Sequence, residues 1–332
     1  MASKYYSFLL VFLVFFQACK TENKKEQVQT TQESFTKLRG NVFGTTYNII
    51  YKSTENFQEP INVIFEKFNN SLSTYIPTSL ISKINQNDTT VVVDAYFVEA
   101  FDKAKRLYKE TDGYFDPTIG KLINAYGFGS GKEKKNLTEE EVKELMKITG
   151  FDKMTLKGNK VVKAPEMEFN VNAYAKGLGI DVVGRFLESK KIQDYLVEIG
   201  GEIRARGKNS RDSAWKVAID DPKTDGSRSQ SRFILLDNQS MATSGNYRKF
   251  KVNEKGEKIV HTVNPKTGLA QENNLLSASV LMNGDCADVD AYATAFMAMG
   301  LKKTKLFLEK HPELKVVLLF TNDKGEIEEF SN

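Results

Sequence analysis

Apolar and polar positions alternate along "LRGNVFGTTYNIIYKS" (residues 38–53) on β-branched and aromatic side chains, a period of two that predicts a strand pair turning around Gly44. The period then changes. Ile61, Ile64, Phe65 and Phe68 recur at helical spacing over residues 60–72, and Val98, Phe101, Ala104, Leu107 and Tyr108 do so over 98–108, so both segments are predicted amphipathic helices. In "LTEEEVKELMKITG", Thr138 and Glu141 form a capping box that opens a helix, and Gly150 supplies a C′ residue to close it. Short strands follow at 154–156 and 160–162, then a helix over 174–189. Downstream, "YLVEIGGEIRARG", "AWKVAID", "SRFILLDNQSMATSG" and "LLSASVLM" read as strands, with a hairpin around 253–256. The chain closes with the Ala-rich helical segment "CADVDAYATAFMAMG" (286–300), a second helix near 303–309 and the strand "LKVVLLFT". Helices and strands mix without strict βαβ alternation and without an internal repeat. The fold class this predicts is α+β, with mixed or antiparallel sheets and flanking helices.

The N-terminus follows a different pattern. Lys4 precedes the unbroken apolar run "FLLVFLVFF" (8–16), which as a helix spans roughly 14 Å against the roughly 30 Å of a bilayer core. Residues 1–18 therefore read as a signal peptide, and "FFQAC" resembles a bacterial lipobox whose Cys19 becomes the lipidated N-terminus; Gln17 departs from the usual pattern. Residues 19–35 are charged and amide-rich, which leaves too little apolar surface to offset chain entropy, so they read as a disordered tether with a typical span of about 20 Å. The remainder, 36–332, is long enough for one large domain or two lobes.

Composition then removes several functions. Cys286 is the only thiol besides Cys19, so no internal disulfide is expected once Cys19 is lipidated. A net charge of +4 over 332 residues, with no dense basic stripe, argues against nucleic acid. With only His261 and His311 present, a zinc site built from two or three histidines is not the default. His261, before the turn "NPKTGL", is the one side chain titrating near neutral pH on an accessible loop, although capping that turn would serve as well. Glycine-rich turns at 44–46, 177–179, 200–201 and 244–245 match no nucleotide fingerprint. Taken with Thr45, Thr46, Thr243 and Ser244, they would let backbone approach a phosphate-bearing ligand.

Two further segments carry candidate chemistry. Asp290 and Thr294 are four residues apart on the predicted last long helix, so a carboxylate and a hydroxyl share one face near its positive end, which either outlines a hard-cation site completed by a phosphate or leaves Thr294 a packed helix residue. Asp288 in the same segment reads as the helix cap. Tyr75 in "LSTYIPTSLIS" and Tyr114, Phe115 and Asp116 in "DGYFDPTIGKLINAYGFG" place aromatics in punctuated loops that either lid the core or stack a flat ligand.

The order of "GTTY", "LSTYIPTSLISKIN", "DGYFDPTIGKLINAYGFG", "NVNAYAKGLGID", "YLVEIGGEIRARG", "WKVAIDDP", "ATSGNYRKF", "HTVNPKTG" and "ADVDAYATAFMAMG" resembles the ApbE family of bacterial FAD:protein FMN transferases over about residues 40–320. The resemblance implies a single two-lobed, T-fold-like domain and a Mg2+-dependent transferase. Its substrate would be FAD, from which FMN passes to a Thr or Ser hydroxyl of an acceptor protein with release of AMP. By position it implies Mg2+ held by Asp290, Thr294 and the Ala173 main-chain oxygen, flavin and adenine contacts from Phe43, Tyr75, Tyr114, Phe115, Asp116, Asn170, Lys176 and Val263, and catalytic roles for His261 and Asp290. Phe43 stands where many members have Met, Asn170 and Asn264 stand where Asp is more frequent, and Ala293 replaces a second Asp found in some members. The same resemblance implies an exported enzyme lipid-anchored to a bacterial membrane, on the periplasmic side of the inner membrane, acting on membrane redox subunits. A hydrolase giving FMN and AMP, and a flavin-binding lipoprotein without turnover, are the alternatives it leaves.

Overall fold

The β1–β2 hairpin, Phe35–Val42 and Thr45–Lys52, turns on two residues with positive φ, Phe43 (51°) and Gly44 (75°), the signs that match the right-handed twist of paired strands. It opens the chain in a computed structural model that describes Met1 and residues 34–129, 131, 133–134, 137–220, 230–246, 250–252, 256, 258–270 and 273–332. The export signal after Met1, Cys19 and the tether up to residue 33 lie outside the described residues. Phe35 begins the first strand one residue before the expected domain boundary. Residues Glu33–Asn332 form one compact unit.

Helices α1 (Gln58–Leu72), α2 (Leu80–Asn85), α3 (Ala95–Glu110), α4 (Gly120–Ala125) and α5 (Glu139–Lys147) come next. The capping box of α5 is present, with Thr138 and Glu141 exchanging both bonds. Gly150 is a correction: α5 ends at Lys147, and Gly150, at φ 123°, leads instead into a short 3-10 turn, Phe151–Lys153. Strands β3 (Thr155–Lys157) and β4 (Lys160–Val162) form a separate ribbon before α6 (Ala175–Ser189). The segment expected as one strand from residue 195 is a hairpin, β5 (Tyr195–Ile199) and β6 (Glu202–Arg206), because Gly200 and Gly201 both adopt positive φ. Likewise the stretch from residue 231 divides into β8 (Gln230–Leu236), paired with β7 (Trp215–Asp220), and β9 (Ser240–Gly245), which enters the main sheet. Strands β10 (Phe250–Val252) and β11 (Lys258–Val260) make the expected small hairpin, and β12 (Leu275–Met282) leads to α7 (Cys286–Leu308), β13 (Lys315–Thr321) and β14 (Ile327–Ser331). Gly300 interrupts α7 with φ 73° and ψ 171°, which separates the two helices that the sequence pattern distinguishes.

Eight strands in the order β1-β2-β5-β6-β9-β12-β13-β14 form one antiparallel sheet, so the α+β class and the antiparallel sheet agree with the sequence pattern. Side chains leave its two faces alternately. Val197, Ala242, Ala278, Val280 and Leu318 join the large core under α1, α3, α6 and α7, while Leu196, Ile203, Met241, Leu281 and Val317 meet Trp215, Val217 and Leu236 of the β7–β8 hairpin. Against the first face, α6 lies on α7 at its nearest where residue 177 is glycine. A Cβ there would stand 2.5 Å from the Cys286 carbonyl oxygen and 2.7 Å from the Ala287 Cα.

That contact is backbone on backbone, so it cannot be relieved by a rotamer change. Gly177→Ala is expected to lower unfolding free energy by about 2–3 kcal/mol through overpacking, read as a lower urea midpoint at unchanged slope. A midpoint equal to wild type would show that the two helices are free to separate.

Candidate active site

The α6–α7 contact brings Lys176, Asp290 and Thr294 to one cavity. It has a volume of about 440 Å³, within the usual range for small-molecule sites, and is walled by residues from α6, α7, β6, β9 and the loops around 75, 115, 170 and 262. Gly177 N–H donates to Asp290 Oδ2 at 3.1 Å, and Lys176 Nζ lies 3.8 Å from the same oxygen and 3.3 Å from Glu202 Oε1. One turn beyond Asp290, Thr294 Oγ1 donates to the Ala173 carbonyl at 3.5 Å and lies 3.3 Å from Ser244 Oγ. Asp290 and Glu202 are 3% and 5% exposed, so both carboxyls sit in the protein interior beside a single ammonium.

Burial shifts these groups in a definite direction. Desolvation pushes the Glu202 carboxyl up, the charge of Asp290 adds to the rise, and Lys176 only partly offsets it. Asp290 is raised by the same desolvation, against the opposing Lys176 charge and the Gly177 N–H. Burial penalises the Lys176 ammonium too, yet the two carboxylates outweigh that penalty and hold its pKa above the ordinary lysine value. Glu202 Oε2 is buried without a hydrogen-bond partner among the described residues.

These observations test whether a divalent cation fits. The donors meeting here are all oxygen: the Asp290 carboxylate, the Thr294 hydroxyl and the Ala173 carbonyl, the set preferred by a hard cation such as Mg2+. Among the described residues no group of three or more His, Cys, Asp or Glu is placed to hold a metal ion, so the protein alone would leave coordination positions for water or phosphate. The orphaned Glu202 oxygen and the excess of carboxylates over cations mark a place short of positive charge. The residues fit.

Most expected ligand contacts reach the same cavity. Tyr75, Tyr114, Phe115, Asp116, Asn170, Lys176, His261 and Val263 line it together with Ala173, Asp290 and Thr294. Tyr75 is 64% exposed at its rim, whereas Phe115 and Val263 are buried behind its surface. The Tyr114 hydroxyl accepts from Lys303 Nζ, and that ammonium stands 4.8 Å from the ring centroid. Asp116, pushed up by burial, accepts from both the N–H and hydroxyl of Thr118 at 2.8 and 2.6 Å. Asn170 Oδ1 accepts the Asn172 N–H at 2.9 Å, and Asn264 Oδ1 accepts the Lys266 N–H at 2.9 Å, so both side chains shape local turns. Phe43 is not brought to the cavity wall: its ring packs on Phe65 and Phe68, with centroids at 5.6 and 5.0 Å.

Two readings of the sequence change. Asp288 does not cap α7; it lies in the first turn and binds Arg106 Nη2 at 2.6 Å and Lys103 Nζ at 3.2 Å. Among the glycine-rich turns, Ser244-Gly245 reaches the cavity with Thr243, while Gly44, Thr45 and Thr46 are not among its lining residues. Glu202 was missed, although a signal existed. In "EIRAR", Ile203 and Ala205 face the apolar β7–β8 side, which puts Glu202, Arg204 and Arg206 on the helix-covered face, where charge is costly and usually serves a purpose.

Comparison with known proteins agrees with this architecture. The ApbE family model matches residues 43–318. The FAD:protein FMN transferase of Haemophilus influenzae is 36% identical over 311 residues, 89% of each chain, and that of Vibrio cholerae is 34% identical over 87% of this chain and 88% of its own. Among solved structures, the flavin transferase ApbE from Vibrio cholerae superposes with a TM-score of 0.79 at 32% identity, covering 90% of this chain and 97% of its own. The apo flavinyl transferase ApbE of Pseudomonas stutzeri gives a TM-score of 0.79 at 25% identity over 90% of this chain and 95% of its own. Fold and site thus define an enzyme of the transferase class. The chain belongs to the ApbE family.

Among the described residues Lys176 is the only ammonium near the two buried carboxyls, although 29% of its side chain remains open to the cavity. In EDTA, Lys176→Met is expected to lower unfolding free energy by about 2 kcal/mol, below the cost at a fully enclosed pair, and adding Glu202→Gln should return most of it. Chemical denaturation of the three proteins checks this; equal midpoints would mean that Lys176 compensates neither carboxyl.

Proposed function

We propose that the protein is a Mg2+-dependent FAD:protein FMN transferase that joins FMN, through a phosphoester, to a Thr or Ser hydroxyl of an acceptor protein and releases AMP. The observation that carries this reading is the meeting, in one cavity, of the Asp290 carboxylate, the Thr294 hydroxyl and the Ala173 carbonyl with His261 and a wall of aromatic side chains. The names of the similar proteins from Haemophilus influenzae and Vibrio cholerae support the same activity.

Asp290, Thr294 and the Ala173 carbonyl would hold Mg2+, which when bound neutralises charge on the pyrophosphate oxygens. The chain's own groups do the rest. Lys176 supplies a fixed positive charge beside Asp290 and Glu202 that favours the phosphates entering the cavity. Tyr75 and Tyr114 offer ring faces to a flat ligand at the mouth, and Val263 and Phe115 supply apolar wall. A hydroxyl is a weak nucleophile, and a ring nitrogen of His261 takes its proton as the hydroxyl oxygen bonds to the FMN phosphorus. The bond from that phosphorus to the bridging oxygen breaks, and AMP leaves with the electron pair. Asn170 and Asn264 are uncharged and occupied in turns, so neither serves as the base in place of His261.

The N-terminal pattern extends the proposal to cell biology. A signal peptide ending before a lipidated Cys19, followed by about fifteen tether residues, keeps the catalytic unit within about 20 Å of a bacterial membrane, where redox subunits carrying flavin are the natural acceptors.

With an acceptor protein, FAD and Mg2+, in-gel flavin fluorescence is expected to show a covalent adduct, lost in EDTA. Asp290→Ala should abolish it, and His261→Ala should slow it about a hundredfold or more while FAD affinity stays within a fewfold. AMP release without an adduct by mass spectrometry would replace the transferase by a FAD hydrolase. FAD binding without AMP release would leave a flavin carrier.

A further inference from the structure

Helix α7 begins at Cys286, and the N–H groups of its first turn need acceptors. The residue in the N-cap position, Asp285, has extended backbone but makes no side-chain cap; its carboxylate turns away to Lys103 Nζ at 2.6 Å and Arg204 Nη1 at 2.8 Å. The cap arrives from another helix. Asp181 on α6, fully buried, accepts the Cys286 N–H on one oxygen at 2.8 Å and the Ala287 N–H on the other at 2.9 Å. Arg204 on β6 fixes that carboxylate from behind with Nη1 at 2.7 Å, while its Nε reaches the Tyr195 hydroxyl at 3.1 Å.

The three elements joined here carry the charged groups beside the candidate cation site. Helix α6 bears Lys176 and the Gly177 N–H, β6 bears Glu202, and α7 bears Asp290 and Thr294. Along the α6–α7 contact, residue 177 bonds to 290 and residue 181 to 286 and 287, so the cap fixes α7 one turn before Asp290. A small slide or rotation of α7 at that point would carry the Asp290 carboxylate and the Thr294 hydroxyl away from the Ala173 carbonyl together. A covalent neighbour could cap the helix as well, but only a cap from α6 ties its start to the helix that opens just after Ala173.

We propose that Asp181, braced by Arg204, is a positioning residue for the cation site: it caps α7 from α6 and thereby sets Asp290 and Thr294 in register with the Ala173 carbonyl. This rests on the reading that those three oxygens bind Mg2+.

The test is calorimetric titration of the full mature chain with Mn2+ as a probe of the Mg2+ site, beside thermal unfolding of the same samples. Asp181→Asn keeps one acceptor oxygen and loses the other, so one α7 N–H goes unpaired; Mn2+ affinity is expected to fall about tenfold or more, the usual range for a group that orients a metal ligand. Val183→Ala, in the same helix and fully buried, removes packing without touching the cap, and should lower the unfolding temperature while leaving Mn2+ affinity within twofold. If Asp181→Asn does not fold, Arg204→Lys, which keeps the charge but cannot reach Asp181 and the Tyr195 hydroxyl together, should still weaken Mn2+ binding at least threefold. Affinity unchanged in Asp181→Asn or Arg204→Lys, with only the unfolding temperature lowered, would reduce the pair to a structural brace and overturn the proposal. Wild-type chain that binds no Mn2+ would overturn the cation reading itself.

Discussion

The structure depends on one close approach, the backbone of α6 lying on the start of α7 where residue 177 has no side chain. With a Cβ excluded by the Cys286 carbonyl, the Gly177 N–H can reach Asp290 and the neighbouring Lys176 can lie between two carboxylates. A helix pair at an ordinary separation of 8–10 Å would hold these groups too far apart for a backbone donor to serve a side chain across the interface. Packing, electrostatics and the candidate chemistry therefore share a single cause in sequence, a glycine directly after a lysine.

Charge is treated differently on the two sides of this helix pair. Away from the cavity, Asp181, Asp285, Asp288 and Glu188 each have a guanidinium or ammonium within 3.0 Å. At the cavity, Glu202 and Asp290 share one ammonium at 3.3 and 3.8 Å, and a Glu202 oxygen has no donor at all among the described residues. The first arrangement is what a protein does to bury charge safely; the second is a strained one kept where a ligand can relieve it. Contrast between the two, more than the presence of carboxylates, distinguishes the functional face from the structural brace.

Much of this was legible in the sequence, and the losses have physical reasons. Long amphipathic segments such as α1, α3 and α6 announce themselves because many apolar positions agree on one period. Helices α2 and α4 have six residues each, fewer than two turns, so no period can establish itself and their aromatic surroundings read as loop. The division of residues 231–245 into strands of two different sheets was hidden because both halves alternate equally well; the positive φ of Asn238 marks the break only once the backbone is seen. Asp290 and Thr294 could be paired from their spacing along one helix. Alternation along β6 sets Glu202 and Arg204 on the helix-covered face, but it is silent on their partners, and Asp181 reaches α7 only through a contact between elements far apart in sequence.

Phe43, Asn170 and Asn264 each hold a turn of the backbone in place. Phe43 accepts the strain of a positive φ in the β1–β2 turn because its ring is held between Phe65 and Phe68, and a Cβ on Gly179 would meet that ring at 2.5 Å. Asn170 donates its N–H to the Pro117 carbonyl at 2.8 Å and accepts from Asn172, which ties the loop of Tyr114 and Asp116 to the segment ending at Ala173. Aspartate would form the same turn and add a charge. In a cavity already lined by the carboxyls of Asp116, Glu202 and Asp290, an uncharged turn former at 170 avoids one more. An uncharged side chain at that position therefore eases the burial of Glu202 and Asp290, and it leaves the demand for positive charge beside those two carboxyls.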